Sequence, residues 1–138
     1  MSPLTSFLSK LFGLYCLLFA LTMFVHRSAT IAEIQSVIGS PATVLMLSVA
    51  LLAAGIAMIV GHNVWRGGPA TVLVTLLGWA ILFKGLVVAF LTPQALGAYY
   101  DSLRYEDFFY GYAGVALVIG AYLTYAGFSQ TSRPVASK

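Results

Sequence analysis

Lys84 stands inside GWAILFKGLVVAF, an apolar run from Gly78 to Phe90, and an ammonium so placed has three uses. It snorkels to the membrane surface and sets the depth of a helix, it pairs with a carboxylate within the bundle or across a protomer interface, or it is a functional charge that anchors a ligand, couples to a proton or lines a pore. The carboxylates open to it are Glu33, Asp101, Glu106 and Asp107, the whole acidic complement of the chain. A second polar group is GHNVWRGG, where His62, Asn63, Trp65 and Arg66 follow a long apolar stretch. Gly61 would end that helix, His62 and Asn63 would bond its free carbonyls, Trp65 suits the headgroup belt, Arg66 is an orientation charge, and Gly67-Gly68-Pro69 turns the chain.

Neither group assembles a catalytic or metal site within one chain. His26, the other histidine, is expected on the opposite side of the membrane, and no Cys, Asp or Glu accompanies His62 on its own side. A metal would need a ring of His62 side chains in an oligomer. Cys16 is the only cysteine and lies mid-span, so no internal disulfide forms and the thiol reads as inert and buried. His62 has no carboxylate to orient it and no nucleophile to serve. Gly67-Gly68 lacks the spacing, and the following lysine and hydroxyl, of a phosphate loop. The expectation is a protein that is not an enzyme and carries no cofactor and no metal. Its formal charge of +3 is scattered rather than clustered, which argues against nucleic acid as a partner.

The acids gather with aromatic residues in AYYDSLRYEDFFYGY, which holds five tyrosines, two phenylalanines and three acids around Arg104. Such residues form an aromatic belt at a membrane surface, with Asp101, Arg104 and Glu106 in local ion pairs. A cation or a cationic partner is the other occupant that aromatic faces and carboxylates favour. The acids lack the spacing of a calcium loop.

All of these side chains must be positioned by helices in lipid. The chain has 138 residues, 60% of them hydrophobic and 8% charged, against about 25% charged in soluble domains. Stretches at about 7–25, 41–60, 70–91 and 108–128 approach the roughly 20 residues that cross a hydrocarbon core. Short loops remain, with a tail over 129–138 expected to be flexible. One transmembrane domain over 1–138 is expected, without a separate soluble one. The first stretch lacks a small-x-small cleavage site and runs into His26-Arg27, so it reads as a retained span rather than a signal peptide. An even number of spans puts both termini and the loop 61–69 on one side, with Lys10, Arg66, Arg133, Lys138 and no acid. The Lys and Arg bias makes that side cytoplasmic.

Both loops on the other side carry helical signatures. Over 29–39, Thr30 and Glu33 have the form of a capping box, and Ile31, Ile34 and Ile38 follow at helical spacing. Over 93–104, Thr92-Pro93 offers a cap and a first-turn proline, and Leu96, Tyr99 and Leu103 make an apolar stripe. Helices of this kind lie on the membrane surface. A shift of 65 residues lays Ile31, Ile34 and Ile38 on Leu96, Tyr99 and Leu103, and Gly13 and Gly55 on Gly78 and Gly120. The expected fold class is an all-α membrane protein, four transmembrane helices in a compact bundle. It is either a doubled unit of helix, surface helix and helix, or two unrelated hairpins of equal length.

Lipid is as apolar as leucine, so spans pack through small residues. The second span has Ala50, Ala53, Ala54 and Ala57, the fourth has Ala116 and Gly120, and the third carries Thr71, Thr75, Gly78, Leu82 and Gly85 on one face. Lys84 lies off that face, beside Leu73, Leu77, Ala80 and Val88, and is expected to point to lipid or to another protein surface. Its depth is about seven residues, roughly 10 Å, from the outer end of the span.

The sequence GHNVW, then VTLLGW, then KG, running over the second and third spans, resembles a group of small bacterial integral membrane proteins of unassigned function. The resemblance implies a bacterial inner membrane and brings no substrate or catalytic residue with it. In size and four-span layout alone the chain is similar to DoxX-like proteins. A structural or accessory function is expected: a bundle in the lipid bilayer that packs with itself as a homo-oligomer or with a larger membrane complex. The alternative is a small oligomeric channel or transporter lined by Thr71, Thr75 and Lys84.

Overall fold

The computed structural model describes residues 2–129. The chain folds as six helices, α1 (Pro3–Val25), α2 (Arg27–Ile38), α3 (Pro41–Gly61), α4 (Pro69–Phe90), α5 (Pro93–Ser102) and α6 (Phe109–Ser129), and no strand occurs among the described residues. The four long ones, α1, α3, α4 and α6, have 21 to 23 residues and are apolar enough to cross a membrane. At about 1.5 Å per residue each matches a hydrocarbon core of about 30 Å. They form a compact bundle with α2 and α5 as short helices at one end. Apart from Ser129, the tail expected over 129–138 lies outside the described residues, as do Arg133 and Lys138.

Local chemistry sets the helix ends. The Thr5 amide donates to the Ser2 hydroxyl at 3.1 Å and Pro3 follows in the first turn, so α1 starts ahead of its apolar run. At α5 the expected cap is present: the Ala95 amide donates to Thr92 Oγ1 at 3.3 Å, with Pro93 next in line. The capping box expected at Thr30 and Glu33 does not form. Only His26 separates α1 from α2, so α2 begins at Arg27 and Thr30 falls inside it. The Thr30 hydroxyl instead donates to the His26 carbonyl at 2.9 Å. Ile31, Ile34 and Ile38 are half-buried as their spacing predicts, whereas on α5 Leu103 is exposed and burial falls on Leu96 and, in part, on Tyr99 and Tyr100.

Two tight pairs make the bundle: α1 lies along α6 and α3 along α4, with α1 meeting α4 between them. Backbones approach closely at Gly13, Gly55 and Gly120, and the last two are the informative pair. A β-carbon on Gly55 would sit 2.6 Å from Leu82 Cα, and one on Gly120 would sit 2.8 Å from Leu17 N. Only a residue without a β-carbon lets these backbones meet. The two contacts are equivalent under the 65-residue shift, which carries Gly55 to Gly120 and Leu17 to Leu82. Burial repeats in the same way, pairing Gly13 with Gly78, Ala20 with Gly85, Met23 with Val88, Ser48 with Ala113 and Met58 with Leu123. Unrelated hairpins have no reason to meet at equivalent residues. The doubled unit is therefore visible in the packing, α1 corresponding to α4, α2 to α5 and α3 to α6, with the approximate twofold passing between α1 and α4.

This arrangement buries α4 on two sides. Its expected small-residue face meets α3 through Gly78 and Gly85, and Thr71 and Thr75 are buried with them. The adjoining flank enters the core as well, with Val74 fully buried and Leu73, Leu77 and Ile81 partly buried in the same cluster as Leu8, Phe12 and Leu123. On α3 the pair contact is made by Gly55, and Ala50, Ala53, Ala54 and Ala57 are left exposed.

Candidate functional site

Lys84, itself exposed, borders an open cavity of about 380 Å³ between one end of α1, α3, α4 and α6 and the short helices α2 and α5. The expectation placed Lys84 towards lipid or a second protein surface; it is exposed and borders this cavity. Most of the wall is apolar, including Phe19, Met23, Leu47 and Val88; Glu33, Thr30 and the tyrosines Tyr100, Tyr105 and Tyr112 supply the polar atoms. Residues equivalent by the 65-residue shift line it in pairs: Met23 and Val88, Leu47 and Tyr112, Phe19 and Lys84. The cavity thus lies on the approximate twofold, and the lysine breaks its symmetry.

A second cleft, of about 480 Å³, adjoins the first and shares Ile34, Ile38, Tyr100 and Tyr105 with it. It brings together Asp101, Arg104, Glu106 and Asp107. Arg104 donates through Nε to Asp107 Oδ2 at 2.8 Å, and this is the one ion pair among the described residues. Glu106 Oε1 accepts from Gln35 Nε2 at 3.0 Å. Arg27 Nη2 donates to the Glu106 carbonyl at 3.0 Å, with the guanidinium 5.7 Å from the ring centres of both Phe109 and Tyr110. These contacts tie α2 to the start of α6. Of the four acids, Glu33 alone shares the inner cavity with Lys84, and Lys84 makes an ion pair with none of them. Burial, and after it the neighbouring Tyr99 phenol, pushes the Tyr100 hydroxyl above the ordinary tyrosine range. Tyr105 is raised in the same way, by burial and then by Tyr100 and Tyr112. Both stay neutral hydrogen-bonding groups at physiological pH.

At the other end of the bundle His62 is 2% exposed and joins three helices. Its amide donates to the Met58 carbonyl at 2.6 Å, which ends α3, while the ring turns away from the α3 carbonyls it was expected to bond. Nε2 lies 2.9 Å from Thr5 Oγ1 on α1 and Nδ1 lies 3.3 Å from Thr75 Oγ1 on α4. Ser2 Oγ is 2.7 Å from Thr5 Oγ1, and Thr75 Oγ1 donates to the Val64 carbonyl at 2.8 Å. One assignment gives each proton a single acceptor. Ser2 donates to Thr5, Thr5 to Nε2, Nδ1–H to Thr75, and Thr75 to Val64, with the imidazole neutral. Burial and full engagement take His62 out of reach of a metal ring between protomers. Asn63 Oδ1 accepts from Trp65 Nε1 at 2.9 Å, and Trp65 and Arg66 are exposed, as a headgroup anchor and an orientation charge should be. Gly67 and Gly68, at φ 108° and 114°, make the turn into α4.

No protein-family model, curated protein or solved structure matches the chain. Geometry therefore carries the functional reading. Among the described residues no three of His, Cys, Asp and Glu are placed so that they could hold a metal ion. Sequence reasoning missed Thr5, Gln35 and Arg27. Thr5 had a readable signal, since Thr5 and Ser9 lie one turn apart on one face of α1, and both are buried.

Proposed function

We propose that the chain is a small integral membrane protein of structural or accessory type, seated in a bacterial inner membrane with both termini in the cytoplasm, which packs with a second copy or with a larger membrane complex. The observation that carries this reading is the alanine face of α3. Ala50, Ala53, Ala54 and Ala57 fall on one side of the helix, are exposed, and take no part in the pairing with α4. In lipid, where apolar burial gives no driving force, close approach of small residues holds helices together, and this face is unspent. Its location draws on the Lys and Arg bias and on the bacterial resemblance of GHNVW and VTLLGW.

Ala53→Leu tests the reading by native mass spectrometry from mild detergent. The wild type is expected as an oligomer or with a partner, and the variant is expected to dissociate at roughly tenfold higher concentration or more, from an overpacking cost of about 1–3 kcal/mol. A wild type that is monomeric and partnerless at every concentration contradicts it.

The channel or transporter reading draws on the Lys84 cavity at one end and the His62 cluster at the other. Between them lie Met58, Leu77, Ile81 and Leu123, an apolar layer with no polar path through a single chain. Flux on that reading needs a pathway between protomers.

A further inference from the structure

We propose that the inner cavity is a binding site for a compact hydrophobic monocarboxylate, held with its carboxylate on Lys84 Nζ and its apolar body against Phe19, Met23, Leu47 and Val88. An ammonium about 9 Å inside the end of a membrane-spanning helix is costly without a counter-charge. The chain does not provide it: Glu33 borders the same cavity without pairing, and the remaining acids line the outer cleft. At about 380 Å³ the cavity falls within the range of about 300–1,000 Å³ that small-molecule sites occupy.

Pseudo-symmetry defines the ligand further. The two halves furnish equivalent apolar walls through Met23 and Val88, yet one presents Phe19 where the other presents Lys84. A single cation in a mostly apolar chamber fits a molecule with one anionic end. Glu33 at the same chamber opposes a second negative charge, which selects a monoanion over a dianion. The site requires no partner chain, so it stands or falls separately from association through α3.

The test is calorimetric titration of the full chain in nanodiscs of neutral lipid, with octanoate, octan-1-ol and octylammonium as probes matched in everything but the head group. Octanoate is expected to bind wild type more tightly than octanol by roughly ten- to a hundredfold, the worth of a charge-assisted hydrogen bond. Lys84→Met removes that preference and leaves octanol binding unchanged, Lys84→Arg keeps it, and Glu33→Gln does not weaken it. Four results would overturn the assignment: no octanoate signal above empty nanodiscs, Lys84→Met binding octanoate as wild type does, octylammonium binding more tightly than octanoate, or Glu33→Gln abolishing binding.

Discussion

Gly55→Ala is expected to destabilise the bundle by about 2 kcal/mol or more, and Gly120→Ala by a similar amount. On Gly55 the new methyl would lie 2.6 Å from Leu82 Cα and 2.7 Å from Leu82 N; on Gly120 it would lie 2.8 Å from Leu17 N. These are backbone atoms, so no flexible side chain can yield and the paired helices must separate. Separation also loosens the neighbouring contacts along each pair, and the gain in helix propensity from glycine to alanine, about 1 kcal/mol at most, offsets only part of the cost. Gly114→Ala is the control, because a β-carbon there meets nothing within 4 Å and the substitution keeps the propensity gain. Reversible unfolding by SDS titration in mixed micelles separates the cases. The double variant should cost close to the sum, since the glycines serve different helix pairs. A Gly55→Ala protein as stable as Gly114→Ala would show that the backbones do not approach as described.

His62→Leu is expected to cost about 2–3 kcal/mol, and His62→Ala more because a cavity is added to the lost hydrogen bonds. Leucine occupies much of the space of the ring but offers nothing to the Thr5 and Thr75 hydroxyls, which are 2% and 1% exposed and have no water to turn to. Thr75 keeps the Val64 carbonyl as an acceptor at 2.8 Å and Thr5 keeps the Ser2 hydroxyl, so the loss is partial rather than complete. A double-mutant cycle in the same titration identifies the network: Thr5→Val should cost clearly less in the His62→Leu background than in wild type. Equal costs in both backgrounds would mean that the two side chains do not communicate.

Hydropathy was enough to find the four spans, because lipid demands long unbroken apolar helices whatever their neighbours. Thr92-Pro93 was readable for a local reason, a cap and a first-turn proline acting within one turn. Thr30 and Glu33 offered an equally good local pattern and failed, since α2 follows α1 after the single residue His26 and the helix had already started. The same contrast separates α4 from α3. Thr71, Thr75, Gly78 and Gly85 predicted a contact face correctly, but the alanines of α3 were outbid by Gly55, whose missing β-carbon permits a closer approach than any alanine.

Long-range placement was less legible. His62 and Thr5 are 57 residues apart, and nothing in GHNVW indicates which helix its ring will reach. The cavity beside Lys84 was not foreseen, because one helix considered alone does not reveal which others border it. The 65-residue repeat contained the missing information: once α1 is matched to α4, Lys84 takes the place of Phe19, and both must face the line between the two halves.

That position is the central claim, and thiol accessibility tests it most directly. In a Cys16→Ala background, Lys84→Cys and Phe83→Cys would be exposed in membranes to a charged, membrane-impermeant methanethiosulfonate applied to the side on which α2 and α5 lie. Phe83 is 63% exposed on the lipid-facing surface of α4 and provides the comparison. The reagent requires a hydrated thiolate. The cavity predicts rapid modification at position 84, slowed by octanoate, and little or none at position 83. A cysteine at 84 as unreactive as one at 83 would place Lys84 in lipid and remove the cavity from the account.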